Sequence, residues 1–202
     1  MLSQLQNVLD HSGCNEQLSN EALQQMETGL SHPFPADPDR AFAAILFTDI
    51  VGSTERASAI GDREWRNLLE THDAVAQTVV QNHWGKLIKM TGDGMLATFD
   101  RPGVAIQCAI AFGQAVRPLG IEIRAGLHAG EVEVRDMDIA GIGVHIAARV
   151  LSSASPGEVW VSAAVPIVVF GSGFEFEDRG DHELKGVPGS WKLFAVSADR
   201  FF

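Results

Sequence analysis

The sequence has few cysteines and no long apolar run. Its 202 residues include two cysteines, Cys14 and Cys108. Cys108 lies in an apolar helical run and is predicted to be a core residue, so a disulfide scaffold is not expected. No apolar run reaches the roughly 18 residues of a membrane-spanning helix. The start MLSQLQNVLD lacks the basic and apolar regions of a secretory signal. These absences predict a cytoplasmic protein that does not associate with a membrane.

Positive charge is also scarce. Lys and Arg number 15 against 26 Asp and Glu, which gives a formal net charge of -11. A polyanion such as DNA would be repelled on average, so the charge argues against nucleic acid as a partner. A small anionic ligand is not excluded, because metal ions and a local basic cluster can neutralise it.

The first 39 residues contain six acidic residues and no Lys or Arg. Apolar residues there recur at helical spacing, first at Leu2, Leu5, Val8 and Leu9 and again at Leu18, Ala22, Leu23 and Met26. Prolines 33, 35 and 38 then interrupt the chain. The pattern predicts a short helical extension and a proline-rich linker over 1–39, followed by one domain over 40–202. The extension either packs on that domain or serves as a regulatory or dimerising segment.

Strand and helix patterns alternate through the domain. Helices are predicted at 55–83, where Trp65 is one of the apolar positions, at 102–116, which Pro102 opens, and at 141–151. Strands are predicted at 43–47, 86–90, 95–99, 121–127, 131–134, 158–161, 174–178 and 192–196, and the second and third of these flank a Gly-Asp-Gly turn typical of a hairpin. This order indicates an α/β sandwich.

Two aspartates stand at positions where they could share metal ions. Asp49 follows an apolar strand in FTDIVGST and precedes a glycine-containing turn and a helix, where backbone N–H groups favour phosphate oxygens. Asp93 lies at the tip of the predicted hairpin in KMTGDG. Alone, Asp49 could be a turn residue or helix cap, and Gly-Asp-Gly is ordinary turn chemistry. Together, one after a central strand and one on the neighbouring hairpin, they can hold two divalent ions.

The order of motifs resembles the catalytic domain of class III adenylate and guanylate cyclases, especially short soluble bacterial and mycobacterial forms. FTDIVGST, KMTGDG, RAGLHAGEV, DIAGIGVHIAARV and LKGVPG occur in family order over about three quarters of the chain. The resemblance implies a ferredoxin-like βαββαβ sandwich with added elements. It also implies a head-to-tail homodimer that converts ATP to cyclic AMP with two Mg²⁺ or Mn²⁺ ions.

The resemblance also implies a role for each motif residue. Asp49, Asp93 and the backbone of Ile50 match the metal-binding positions. Gly52, Ser53 and Thr54 match the segment beside the metals and phosphates. The remaining matches are Lys89 and Asp138 for the base, Arg149 for the transition state, and Arg124 and Lys185 for the phosphate tail. One subunit is expected to supply Asp49, Asp93 and Arg124, and the other Lys89, Asp138, His145, Arg149 and Lys185.

The choice of base can be argued from residue type. Lys89 can only donate hydrogen bonds and ionised Asp138 can only accept them. Adenine offers N1 as an acceptor and its 6-amino group as a donor, so it matches this pair. Guanine offers the opposite polarity and would leave both partners unmatched. In the family, relatives that make cyclic GMP typically carry Glu at the position of Lys89.

One position departs from the commoner family pattern. His145 stands where many members have Asn, so it is either a tolerated substitute or a ribose-orienting group that adds pH sensitivity. His128, beside Gly126 and Gly130, is predicted to be buried or to contact the site residues from behind, and not to be a metal ligand. The alternatives to an active adenylate cyclase are a non-catalytic nucleotide-binding domain, a guanylate cyclase, and a palm-like nucleotidyltransferase.

Overall fold

A computed structural model describes residues 39–197, and within them eight strands form one sheet with helices on both faces. The strands are β1 Arg40–Ile50, β2 Lys86–Met90, β3 Met95–Phe99, β4 Ile123–Arg135, β5 Asp138–Ala140, β6 Val159–Ser162, β7 Phe176–Glu183 and β8 Ser190–Val196. The helices are α1 Ser53–Ile60, α2 Asp62–Asn82, α3 Pro102–Val116, α4 Ile142–Ser153 and α5 Ala164–Val168, with a 3-10 turn at Arg117–Leu119. The extension predicted over 1–39 lies, except for Asp39, outside the described residues.

The sheet has the order β2-β3-β1-β4-β6-β8-β7, and β5 pairs with β4. Strand β1 is antiparallel to both of its neighbours, so that Ala44 lies opposite Phe99 on β3 and Ala129 on β4. The first four strands with α1–α3 therefore have the connectivity and strand order of a ferredoxin-like βαββαβ unit. The predicted mixed α/β sandwich is confirmed.

Burial on both faces explains why β1 is apolar at successive positions. Neighbouring side chains of a strand point to opposite faces. Ala44 and Leu46 pack in the cluster formed with α2 and α3, whereas Ala43 and Ile45 pack with Ala147 of α4 on the other face. The carboxyl end of β1 is thus fixed between two helical layers.

Two predicted boundaries are wrong for reasons of glycine geometry. The single helix expected over 55–83 is two helices, because Gly61 has a φ of 82° and separates α1 from α2. The two strands expected at 121–127 and 131–134 are the single strand β4. Gly126 and Gly130 do not interrupt it. Gly126 instead lies where the backbone of Leu151 in α4 comes so close that a side chain would overlap it.

The remaining predictions differ mainly in extent. The hairpin strands 86–90 and 95–99 and the helix 102–116 are confirmed to the residue. The strand predicted at 174–178 begins at Phe176 and continues to Glu183. Strand β5 and helix α5, of three and five residues, were not predicted.

Candidate functional site

The first group of predicted site residues lies where β1 ends. Asp49 stands opposite Arg124 in the register of β1 and β4. The Nε and Nη2 groups of Arg124 donate hydrogen bonds to Oδ2 of Asp49 over 3.1 and 2.7 Å. The Asp49 side chain is 25% exposed and that of Arg124 is 34% exposed. The sheet thus holds a carboxylate and a guanidinium together in a partly open position.

The hairpin between β2 and β3 holds Asp93 beside the end of β1. The backbone N–H of Ile50 donates to the carbonyl oxygen of Asp93 over 3.1 Å. The buried Thr48 hydroxyl accepts the N–H of Met95 at 3.3 Å. Gly94 makes this approach possible, because any side chain there would overlap the carbonyl of Thr48. The backbone of Asp93 therefore lies against the residue that follows Asp49.

A groove extends from Asp93 along the start of α1. Gly52 has a φ of 64° and leads into the helix that begins at Ser53. Ser53, Thr54 and Asp93 line a cavity of about 450 Å³, which Asp62 and Trp65 also line. Asp62 and Trp65 were not predicted as site residues, because the helical spacing of Trp65 indicated only a packing role.

Lys89 and Asp138 form a second group. Lys89 lies on β2 and Asp138 on the short strand β5, yet Nζ of Lys89 donates to Oδ2 of Asp138 over 2.5 Å. The N–H of Ile139 donates to Oδ1 over 2.8 Å. The hydrogen bond from Lys89, and then that from Ile139, lowers the pKa of Asp138 below its usual value. Asp138 is therefore an ionised acceptor at neutral pH, and Lys89 is a donor at its side.

Arg149 and Lys185 form a third group at helix α4. Nε of Arg149 donates to the backbone carbonyl of Lys185 over 3.0 Å. Leu184 and Val187 are buried on either side of Lys185 in a cluster with Ile146 of α4. The Lys185 side chain is exposed. This packing fixes the loop carrying Lys185 against the helix that carries Arg149.

His145 lies on α4 one turn before Arg149, and its side chain is exposed. Residues four apart on a helix share a face, so the two can act on one ligand. Within residues 39–197, no side-chain hydrogen bond connects any one of the three groups to another. The assignment of these residues to two subunits of a shared site stays a prediction.

His128 is buried, 7% exposed, on β4. Its Nδ1 lies 2.7 Å from Oγ of the buried Ser162. Burial lowers the pKa of His128 to about 4, so the ring is neutral at physiological pH. The structure agrees with the prediction that His128 is a buried residue. Cys108 is likewise buried, as predicted, and burial raises the pKa of its thiol to about 12.

The donor atoms at the end of β1 fit a hard divalent cation. Asp49, Asp93 and the carbonyl of Ile50 all offer oxygen, which Mg²⁺ and Mn²⁺ prefer. Across the part of the chain that the structure describes, no cluster of three or more Asp, Glu, His or Cys side chains is present. Two carboxylates suffice where substrate phosphates complete the coordination, as is usual for Mg²⁺. The residues therefore fit a cation whose coordination is completed by phosphate oxygens.

Comparison with known proteins gives the family. Residues 39–198 match the sequence model described as "Adenylate and Guanylate cyclase catalytic domain". The chain therefore belongs to the class III adenylate and guanylate cyclase family, as its motifs predicted. No helix among residues 39–197 is long and apolar enough to span a bilayer.

Individual relatives agree with this assignment. The chain is 33% identical over 157 residues to "Putative adenylate cyclase 3" of Rhizobium meliloti, an alignment that covers 73% of this chain and 27% of that protein. It thus spans about a quarter of that relative's length. A solved adenylate/guanylate cyclase/hydrolase from Silicibacter pomeroyi is 27% identical with a TM-score of 0.71, over 79% of this chain and 98% of that one. The adenylyl cyclase CyaB from P. aeruginosa, 21% identical with a TM-score of 0.73 over 80% and 96% of the two chains, shares the fold.

Proposed function

We propose that the protein is an adenylate cyclase that converts ATP to 3′,5′-cyclic AMP and pyrophosphate. In this reaction the ribose 3′-oxygen attacks the α-phosphorus in line with the leaving group. A bond forms between O3′ and the α-phosphorus, the bond from the α-phosphorus to pyrophosphate breaks, and the hydroxyl proton is lost. The family includes both adenylate and guanylate cyclases, so the choice of ATP rests on this chain's own residues.

The observation that carries the proposal is the ion pair of Lys89 and Asp138. Asp138 is an ionised acceptor beside a donor that has three N–H groups. Adenine can accept at N1 from Lys89 and donate its 6-amino group to Asp138. Guanine would place a donor against Lys89 and an acceptor against Asp138. An unmatched polar pair in a closed site is costly, and such sites discriminate strongly between analogues.

The carboxylates of Asp49 and Asp93 and the carbonyl of Ile50 would hold the divalent ions. When bound, such ions lower the pKa of a coordinated hydroxyl and neutralise phosphate charge. The N–H groups that follow Gly52 at the start of α1, with the hydroxyls of Ser53 and Thr54, would bind phosphate oxygens, because the unpaired N–H groups of a helix start favour anions. The protein thereby brings the triphosphate to the same edge of the sheet as its two aspartates.

The basic residues act on charge that develops during the reaction. Negative charge grows on the α-phosphoryl oxygens and on the leaving pyrophosphate, where fixed cations stabilise it. Arg149 is held by the Lys185 carbonyl, so its guanidinium is oriented before substrate binds. Lys185 and Arg124 would bind the phosphate tail. His145 would orient the ribose in place of the more common Asn.

We further propose that two chains assemble head to tail and that each active site takes residues from both. Asp49, Asp93 and Arg124 form one group, and within residues 39–197 no side-chain hydrogen bond joins them to the base or transition-state residues. A shared site predicts that inactive Asp93→Ala and Lys89→Ala chains regain activity when mixed, since one site of a mixed dimer stays intact. Specific activity should also rise with concentration in dilute solution. If both results are negative, the homodimer proposal is wrong.

The direct test is a product assay. The full chain would be incubated with ATP or GTP and with Mg²⁺ or Mn²⁺, and the products separated by chromatography, with Asp49→Ala as the paired variant. Cyclic AMP that is absent for the variant would support the reaction, the base and the role of Asp49 together. Cyclic GMP from GTP in excess over cyclic AMP would favour the guanylate cyclase alternative. Metal-dependent ATP binding without product would favour a non-catalytic domain.

A further inference from the structure

Arg124 engages the same carboxylate that the proposed function assigns to a metal ion. Its Nε and Nη2 groups both donate to Oδ2 of Asp49, at 3.1 and 2.7 Å. Among the described residues, no other side chain donates to the Asp49 carboxylate. A charge-assisted pair of this kind is shorter and stronger than a neutral hydrogen bond. The guanidinium and a divalent cation would therefore compete for the charge and lone pairs of one group.

The sheet keeps Arg124 beside Asp49. Asp49 and Arg124 are directly opposite in an antiparallel ladder that continues without interruption from Arg40 to Ile50 on β1. The backbone at Asp49 is fixed further because Ile50 is bonded to Asp93 and Val51 donates to Glu122 over 2.9 Å. Neither side chain is sealed in the core, so the guanidinium has room to exchange Asp49 for another anion. A triphosphate is the stronger competitor for Arg, since it offers more negative charge and more acceptor oxygens.

We infer that Arg124 makes divalent-cation binding at Asp49 dependent on the nucleotide. Without nucleotide, the guanidinium neutralises Asp49 and lowers its affinity for the cation. A bound triphosphate draws Arg124 away and supplies further oxygen ligands, so that cation and nucleotide bind cooperatively. Arg124 thus acts on the metal through Asp49 as a positioning residue, in addition to binding phosphate. The inference rests on the proposed metal role of Asp49.

The size of the effect follows from Coulomb's law. A unit positive charge within hydrogen-bond distance of the ligating carboxylate changes the affinity for a divalent cation by about tenfold under water-like screening. Thermodynamic linkage requires the same factor to appear in the effect of the cation on nucleotide affinity. The inference therefore concerns binding itself and can be tested without turnover.

The experiment measures Mn²⁺ binding by electron paramagnetic resonance of the free ion. Titrations would use the full chain alone and with an equal amount of 3′-deoxy-ATP, which cannot cyclise, and the Mn²⁺ bound by the nucleotide in the absence of protein would be subtracted. Without nucleotide, Arg124→Gln should bind Mn²⁺ about tenfold more tightly than wild type. Arg124→Lys keeps the charge and should stay within about threefold of wild type. With the nucleotide bound, the advantage of Arg124→Gln should disappear.

Arg63→Gln is the matched control. It removes the same charge from the start of α2, where Arg63 is bonded only to Glu64 among the described side chains. Its Mn²⁺ affinity should equal that of wild type within about twofold, because solvent and salt screen a charge without contact to the site. Thermal unfolding of each variant would confirm that it is folded. An equal gain in Arg63→Gln would overturn the inference, because the effect would then be one of net charge alone.

Asp49→Asn separates the inference from the proposed function. If Asp49→Asn loses Mn²⁺ binding and Arg124→Gln binds Mn²⁺ no more tightly than wild type, the inference is overturned and the metal role of Asp49 stands. Unchanged Mn²⁺ binding in Asp49→Asn would overturn both. Loss in Asp49→Asn with the expected gain in Arg124→Gln would support both.

Discussion

Mild acid is expected to destabilise the protein through His128. The ring is 7% exposed and bonded to Ser162, and burial lowers its pKa from 6.5 to about 4. A histidine whose pKa is lowered by folding takes up its proton more readily in the unfolded chain. The stability that His128 contributes is therefore complete above pH 6.5 and is lost progressively as the pH falls from 6.5 towards 4.

The magnitude follows from the two pKa values. Between pH 7.5 and pH 5, proton linkage for a single group with these values reduces the free energy of unfolding by about 2 kcal/mol. Basic partners lower the pKa values of three carboxylates, those of Asp138, Glu133 and Asp178. These groups therefore change the stability only at lower pH. Their contribution is common to wild type and to a His128 variant.

The assay is denaturant unfolding followed by tryptophan fluorescence, to which Trp191, whose ring lies 6.0 Å from that of His128, contributes. His128→Asn removes the titrating group. Between pH 7.5 and pH 5 the free energy of unfolding of wild type should therefore fall by about 2 kcal/mol more than that of His128→Asn. Ser162→Ala should destabilise the protein by about 1–3 kcal/mol at every pH. Its stability should depend on pH as that of wild type does, because burial and not the hydrogen bond from Ser162 lowers the pKa of His128. A difference between wild type and His128→Asn that is constant with pH would refute the reasoning.

Three further predictions concern the Lys89–Asp138 ion pair, Gly126 and the Cys108 thiol. Lys89→Glu with Asp138→Asn reverses the donor and acceptor pattern and should shift the ratio of kcat/KM for ATP over GTP by roughly 100-fold towards GTP, whereas an unchanged ratio would contradict the proposed base contact. Gly126→Ala should lower the free energy of unfolding by about 1–3 kcal/mol and lower kcat, since a side chain there overlaps Leu151 on the helix that carries Arg149. The control is Gly113→Ala, whose new side chain meets only Ile123 at 3.8 Å and should not destabilise the protein. In a Cys14→Ser background, Cys108 should react with a disulfide reagent only on unfolding, because burial raises its pKa to about 12, and rapid labelling of the native protein would contradict this.

Local signals in the sequence predicted the parts of the fold that local chemistry determines. Gly92-Asp93-Gly94 between two short apolar runs predicted the hairpin, and Pro102 predicted the start of α3, both to the residue. The motifs also identified the aspartates that meet at the end of β1. The hairpin and the start of α3 depend on residues within a few positions of one another. Asp49 and Asp93 lie on separate elements, and their motifs indicated the meeting only through the predicted order of strand and hairpin.

Contacts between distant residues could not be predicted in the same way. The pairing of Asp49 with Arg124 joins residues 75 positions apart and depends on the register of β1 and β4. The bond from Arg149 to the Lys185 carbonyl joins two motifs that were considered separately. Strand β5 has three residues, too few for a period of two to be recognised. In each case the missing information was the packing of whole elements.

Glycine illustrates why pattern alone misjudged the boundaries. Gly61 separates two helices because its φ of 82° is incompatible with a helix. Gly126 lies inside a continuous strand, and its lack of a side chain lets α4 approach the sheet at Leu151. A side chain at Gly143 of α4 would come within 3.2 Å of the Glu131 carbonyl oxygen, a tight contact without the overlap found at Gly126. The glycines of RAGLHAGEV and DIAGIGVHIAARV thus set the position of the helix that carries His145 and Arg149, which gives these motifs a structural role beside their chemical one.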